Sequence, residues 1–247
     1  MNNPILLKVG EDSYVKEEIL IGEIYSRDYA ISSSGLIAYV SNDSIHLASV
    51  ENGKEKIESW LSEEPSWSPD GNKFVYCYDG KLICYDIANK SKYILSEGQT
   101  VRRPIWISED QIIFVKDDNI TILGLTTSEE EKITVEKGSY PRMVYDSRKH
   151  VVYFVRRLKG SYDVAQYKLA TKELNIVVKG NFQLLGLGPN GDSLYLVDID
   201  NGNQLINYNL KTNTRAIIES ENVMDGISTF DGRALLYSTY DKLYLYL

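Results

Sequence analysis

Histidine and cysteine, which serve most often as catalytic base and thiol nucleophile, are scarce in this 247-residue chain. Its only histidines are His46 and His150, and its only cysteines are Cys77 and Cys84. A nucleophilic serine needs a base within hydrogen-bonding distance. The two histidines stand in different repeats of the chain, and there is no Gly-x-Ser-x-Gly turn to expose a serine. Two histidines cannot build a multi-histidine metal centre, and two cysteines cannot close a structural zinc site. Both histidines are therefore read as structural or surface residues, and neither a catalytic residue nor a cofactor is expected.

The cysteines flank Asp79-Gly80. A two-residue turn there sets Cys77 opposite Leu82 and Val75 opposite Cys84. The thiols then lie diagonally on one face at roughly 7 Å, which is long for a disulfide. A shifted register would bring them face to face, so buried free thiols and a disulfide both stay open.

A surface of mixed charge is the stronger candidate. Asp28, Glu64, Arg103, Tyr140, Leu184 and Asp225 recur about every 40 residues, each three positions before one of the anchors Ile31, Trp67, Trp106, Met143, Leu187 and Ser228. If the anchors occupy equivalent strands, the six residues ring one end of the architecture. Asp225, Asp28 and Glu64, with Asp43, Asp79 and Asp241 in nearby turns, then form an acidic crescent facing Arg102, Arg103 and Arg142. Such a crescent suits a basic protein segment or a divalent cation, for which carboxylates are hard ligands. The plainer origin is that Asp and Asn are favoured in turns. The expected partner contacts are Asp28, Glu64, Arg103, Tyr140 and Asp225, and the metal alternative uses Asp28, Glu64 and Asp225. Tyr140, Tyr162 and Tyr240 fall in loops at the same end, where an amphipathic ring either anchors a partner or packs its own loop.

The elements that must position these residues are legible in Pro65-Ser66-Trp67-Ser68-Pro69-Asp70-Gly71-Asn72-Lys73-Phe74-Val75-Tyr76. Pro presets φ early in a turn, Asp bonds back to its own backbone, and Gly accepts positive φ. The apolar flanks then fold back as two antiparallel strands. Degraded copies surround Ser33-Ser34-Gly35, Ser108-Glu109-Asp110, Tyr145-Asp146-Ser147, Pro189-Asn190-Gly191 and Phe230-Asp231-Gly232. After each second strand come another turn and a third apolar run; the turns are Asn42-Asp43, Asp79-Gly80, Asp118-Asn119, Lys159-Gly160, Asn201-Gly202 and Tyr240-Asp241. In five copies a fourth strand follows.

A period near 40 residues with four strands per copy predicts an all-β, six-bladed β-propeller of four-stranded antiparallel blades. The blades are expected at about 27–62, 63–99, 100–138, 139–180, 181–221 and 222–247, within one domain over 17–247. The last copy ends on its third strand, Leu243 to Leu247, while Ile19 to Ile24 has the spacing of a fourth strand without a blade of its own. Residues 17–26 are therefore expected to close the last blade and cover its open edge. Residues 1–16 form a tail or an extra strand around Ile5-Leu6-Leu7.

Composition narrows the partners. The charged side chains are 27 Lys plus Arg against 35 Asp plus Glu, a net charge of −8, which argues against a nucleic-acid surface. No segment approaches a membrane span or a signal peptide, so a soluble cytoplasmic protein of undetermined oligomeric state is expected.

Glu64 to Tyr76 closely resembles the repeat of TolB-type, WD40-like β-propellers, and Leu187-Gly188-Pro189-Asn190-Gly191 is a weaker copy. The resemblance implies the propeller fold over nearly the whole chain. Members of that group are interaction scaffolds, gating domains of peptidases, or lyases and hydrolases, so it does not select a function. The expectation drawn here is a non-enzymatic scaffold, alone or as a subunit of a larger complex, that binds a protein or peptide through its channel-mouth face. The alternative is a metal- or small-molecule-binding propeller enzyme using the same carboxylates.

Overall fold

The computed structural model describes residues 5–9, 14–18, 29–32, 35–41, 44–49, 53–57, 62–133, 140, 142–158, 160–220, 222–228, 235–239 and 243–246. The chain divides into two compact units, Met1–Lys132 and Ile133–Leu247.

In the first unit, β1 (Ile5–Val9) and β2 (Tyr14–Glu18) pair as an antiparallel hairpin. Three four-stranded antiparallel meanders follow. The first blade is β3 (Tyr29–Ile31), β4 (Ile37–Ser41), β5 (Ser44–Ser49) and β6 (Gly53–Lys56). The second is β7 (Ser62–Trp67), β8 (Lys73–Tyr78), β9 (Lys81–Asp86) and β10 (Ser91–Glu97). The third is β11 (Val101–Ser108), β12 (Gln111–Lys116), β13 (Asn119–Gly124) and β14 (Glu130–Lys132).

The second unit holds two more blades of four strands: β15 (Met143–Asp146), β16 (Val151–Leu158), β17 (Ser161–Lys168) and β18 (Glu173–Val178), then β19 (Phe182–Leu187), β20 (Ser193–Asp198), β21 (Gln204–Asn209) and β22 (Thr214–Glu219). A three-stranded sheet of β23 (Asp225–Ser228), β24 (Leu235–Ser238) and β25 (Leu243–Tyr246) ends the chain.

The architecture is an all-β propeller of four-stranded antiparallel blades, and the described residues complete five such blades rather than the six expected. The difference lies in the closing strand. Ile19 to Ile24 fall outside the described residues, and Glu17 and Glu18, which begin the expected closing segment, pair instead with Leu6 and Ile5.

The middle strands read as unbroken apolar runs because they are buried on both faces. Alternate residues of a strand point to opposite sides. On β8, Phe74 and Tyr76 pack toward the first blade with Ala38, Val40 and Ile45. Val75 and Cys77 pack toward the third blade with Trp106, Ile112 and Phe114. In the second unit Tyr153, Val155 and Val164 meet Phe182, Leu184 and Leu187 of the next blade in the same way. A second-strand run of this kind therefore supplies side chains to two cores at once.

The Ser68-Pro69-Asp70-Gly71 turn forms as its chemistry requires. Gly71 N–H donates to Ser68 O at 2.9 Å, and Gly71 takes a φ of 71°. Ser68 Oγ accepts Lys73 N–H at 3.0 Å and lies 2.5 Å from Asp70 Oδ1, which also accepts Asn72 N–H. The Ser68 hydroxyl, then the Asn72 donors, hold the Asp70 carboxyl below the ordinary carboxylate range.

Asp79 and Gly80, with φ of 47° and 69°, form the two-residue turn whose doubly positive φ matches strand twist. Cys77 pairs with Leu82 and Cys84 with Val75, in the register expected from that turn. Both cysteines are buried and free. Burial pushes the Cys84 thiol up, away from the thiolate that reacts.

The corresponding turn in the third blade falls one residue earlier than expected. Lys116 pairs with Asn119, leaving Asp117 and Asp118 as the turn residues with φ of 47° and 60°. Asn119 is drawn into β13, where it is buried and its Nδ2 donates to Asp117 O at 2.8 Å.

Candidate functional site

Within each unit the first strand of one sheet contacts the first strand of the next, β3 with β7 and β7 with β11, then β15 with β19 and β19 with β23, so the residues just before the anchors are set by close backbone approach. In the first unit Trp67 Nε1 donates to Ala30 O at 2.9 Å, and Trp106 N–H donates to Ser66 Oγ at 3.0 Å. The anchors Trp67 and Trp106 thus fix neighbouring inner strands to each other. His46, on β5, stacks on Tyr39 at 5.1 Å between ring centroids.

Arg103 stands where β11 breaks register against β12, between Arg102 and Ile105. Its φ is 58°, and among the described residues it is the only non-glycine inside a strand with positive φ. The other positive-φ side chains of the first unit sit in turns and loops, where Asp and Asn tolerate that conformation. Holding an arginine there costs on the order of 1–3 kcal/mol, and such strain clusters at functional sites. Beside it, half-exposed Arg102 donates through NH2 to Asp118 Oδ1 at 3.1 Å, tying the bulge to the turn at the same end of the blade. Glu64 lies on β7 within the matching irregularity between Glu63 and Ser66, while Asp28 lies outside the described residues.

In the second unit the ring positions are consumed by the fold. Arg142 NH1 donates to Gly226 O at 2.6 Å and to Leu184 O at 3.3 Å, and its NH2 lies 3.2 Å from Asp225 Oδ1. The same Oδ1 accepts Gln183 Nε2 at 2.9 Å and Gly226 N–H at 2.8 Å. One guanidinium therefore ties the first strands of three successive sheets. Gly186 shows how close these strands come, since a Cβ there would stand 2.0 Å from Ser228 Oγ.

Tyr140, read from the sequence as a loop residue that either anchors a partner or packs its own loop, is buried to 1% exposure and packs edge-on against Phe154 at 5.8 Å. Its ring is core material, held against Phe154 of β16. Leu184 is fully buried as well. The residues that the sequence left unnamed are Gln183 and Gly226. Their signal is weak, as both become partners of Arg142 and Asp225 only through contacts distant in the chain.

His150 lies exposed in the turn before β16, where its Nδ1 is 2.9 Å from Tyr145 Oη. Among the described residues no group of three or more His, Cys, Asp or Glu side chains is arranged to hold a metal ion. Asp225, one of the three carboxylates of the metal alternative, faces the Arg142 cation instead.

Comparison with models of protein families finds no match, and neither does comparison with curated proteins. Solved structures do match in fold. TolB from Acinetobacter baumannii aligns with a TM-score of 0.69 at 16% identity, over 86% of this chain and 61% of that one. An oligogalacturonate lyase in complex with manganese aligns with a TM-score of 0.74 at 12% identity, over 93% and 78% of the two chains. The Cps50 (Swd1) β-propeller domain of Myceliophteria thermophila aligns at 0.64 and 15%, over 92% and 84%. The chain thus spans about three fifths of the length of the TolB structure. These likenesses show the fold, a β-propeller of the TolB and WD40 kind.

Proposed function

We propose that this propeller is a non-enzymatic scaffold that binds a protein or peptide at the blade end bearing the first-strand starts and the second-to-third strand turns. It acts alone or as a subunit of a larger complex. The observation that carries the reading is Arg103, held with a φ of 58° inside β11 where no turn requires it. A fold free to choose would place glycine or asparagine there. A long cation in that conformation costs more than glycine would, and a contact from its side chain to a partner offsets that cost. Glu64 and Asp28 are proposed to flank the contact by their matching positions ahead of Trp67 and Ile31. Asp225 and Tyr140 serve it indirectly, by holding the inner strands of the second unit through Arg142 and Phe154.

The carboxylate-centred enzyme reading is weaker, because Asp225 meets a guanidinium at 3.2 Å and is poorly disposed toward a second cation. Fold similarity to a lyase does not change this, since one fold hosts many chemistries.

Arg103→Gly separates the two roles of the position. Glycine adopts positive φ without strain, so the variant is expected to keep the wild-type melting temperature to within a few degrees. It is expected to lose at least about tenfold in the amount of native partner retained by the immobilised protein, as for removal of an arginine hot spot. Retention equal to wild type in a folded Arg103→Gly protein would end the assignment of this face.

A further inference from the structure

The paired second and third strands of the fourth blade, β16 and β17, have eight residues each, against six in β8, β9, β12, β13, β20 and β21. β15 covers β16 only over residues 151–154, and β18 reaches β17 only as far as Val164. Beyond that, among the described residues, Arg156, Arg157 and Leu158 pair with Asp163, Tyr162 and Ser161 as a two-stranded ribbon, with Tyr162 also bridged to Asn181 at its foot. The ribbon extends from the same blade end as the second-to-third turns.

On the ribbon Arg157 stands directly opposite Tyr162, and its guanidinium lies over the phenol ring at 5.1 Å from the centroid. Tyr162 is held from below. Its ring packs on the core shared with the next blade, and its N–H donates to Gly180 O at 3.0 Å. Asp163, the carboxylate nearest in sequence, is turned away to accept Gly180 N–H at 3.0 Å. Arg157 itself is exposed, and beyond the ring contact it has no ion pair among the described residues. Exposed Lys179 lies one residue from Gly180 and adds a second positive charge at the foot of the ribbon.

A guanidinium laid flat on an aromatic face keeps its N–H edge free and its plane fixed. That is the geometry for bidentate capture of a carboxylate, with little side-chain entropy left to lose. We infer that the Arg157–Tyr162 ribbon is a docking surface for an acidic peptide segment. Arg157 and Lys179 give this blade end local positive charge on a chain whose net charge is −8, which suits an acidic partner segment. The inference rests on the proposed function only for the blade end at which a partner arrives.

The test is fluorescence anisotropy of fluorescein-labelled hexaglutamate at low ionic strength, with hexaglutamine and a twelve-residue oligothymidylate as comparison probes. Saturable binding of hexaglutamate alone is expected, weakened about tenfold or more by Arg157→Ala. Arg157→Lys is expected to lose most of the same affinity, since an ammonium keeps the charge but not the fork. Tyr162→Leu, with circular dichroism as a fold control, is expected to weaken binding while leaving Arg157 in place. No saturable hexaglutamate binding, equal binding by Arg157→Ala, or preference for the oligothymidylate would overturn the inference. If hexaglutamate fails while Arg103→Gly still lowers partner retention, the ribbon alone is overturned. If both fail, the face is overturned with it.

Discussion

Arg142→Ala is expected to destabilise the protein by about 3 kcal/mol or more, among the largest effects of any single substitution in the second unit. The guanidinium and the Asp225 carboxylate are only 13% and 14% exposed. Removing one partner of such a pair leaves the other charge in poor contact with water, which costs more than the pair itself contributes. Two carbonyls, Leu184 O and Gly226 O, lose their donor at the same time. Arg142→Lys is expected to recover only part of the loss, because an ammonium cannot reach three acceptors on two sheets at once. In a double-mutant cycle, Arg142→Ala with Asp225→Ala is expected to cost less than the two singles added, by about 1–3 kcal/mol of coupling. Urea unfolding midpoints provide the measurement. A loss under about 1 kcal/mol for Arg142→Ala would mean that the guanidinium is a surface group.

Phe74→Ala is expected to cost about 3–5 kcal/mol, the range for truncating a large aromatic in a packed core. Phe74 is fully buried and touches three rings, with centroids 5.2 Å from Trp67, 5.8 Å from Tyr76 and 5.3 Å from Tyr85. It also fills the layer between the first and second blades with Ala38, Val40 and Ile45. For a chain of this size the loss corresponds to a fall of roughly 10 °C in melting temperature. Phe74→Leu keeps most of the volume and is expected to cost under about 1.5 kcal/mol. If the two variants melted together, the packing attributed to this ring would be wrong. The comparison also ranks the repeat's parts, since the turn residue Asp70 is exposed and its loss is expected to cost only about 1 kcal/mol.

These two substitutions illustrate what local sequence can and cannot carry. Phe74 was legible because strand period and turn chemistry are local. Ser-Pro-Asp-Gly placed the turn, and Asp79-Gly80 set the register that pairs Cys77 with Leu82. The Asp118-Asn119 turn was misplaced by one residue, because Asp accepts positive φ nearly as readily as Asn and the pattern does not distinguish them. The candidate site was less legible. Asp225 looked like an exposed carboxylate, and nothing near it in sequence announces that Arg142 will neutralise it from two sheets away. Tyr140 looked like a loop residue, and loop position does not say whether a ring packs into the core. The strain at Arg103 is a backbone property that residue identity hides, since the position reads as ordinary strand.

The claim that a partner binds one particular end of the blades is tested most directly by hydrogen exchange of the protein alone and in its captured complex. The account predicts slowed exchange at 101–104 of β11, at the Asp79-Gly80 and Asp117-Asp118 turns, and along the 156–163 ribbon. Exchange is predicted to stay unchanged in the opposite turns, at 69–72, 109–110, 147–150 and 189–192. Protection confined to those opposite turns would contradict it, as would a complex that leaves 101–104 exchanging at the free rate.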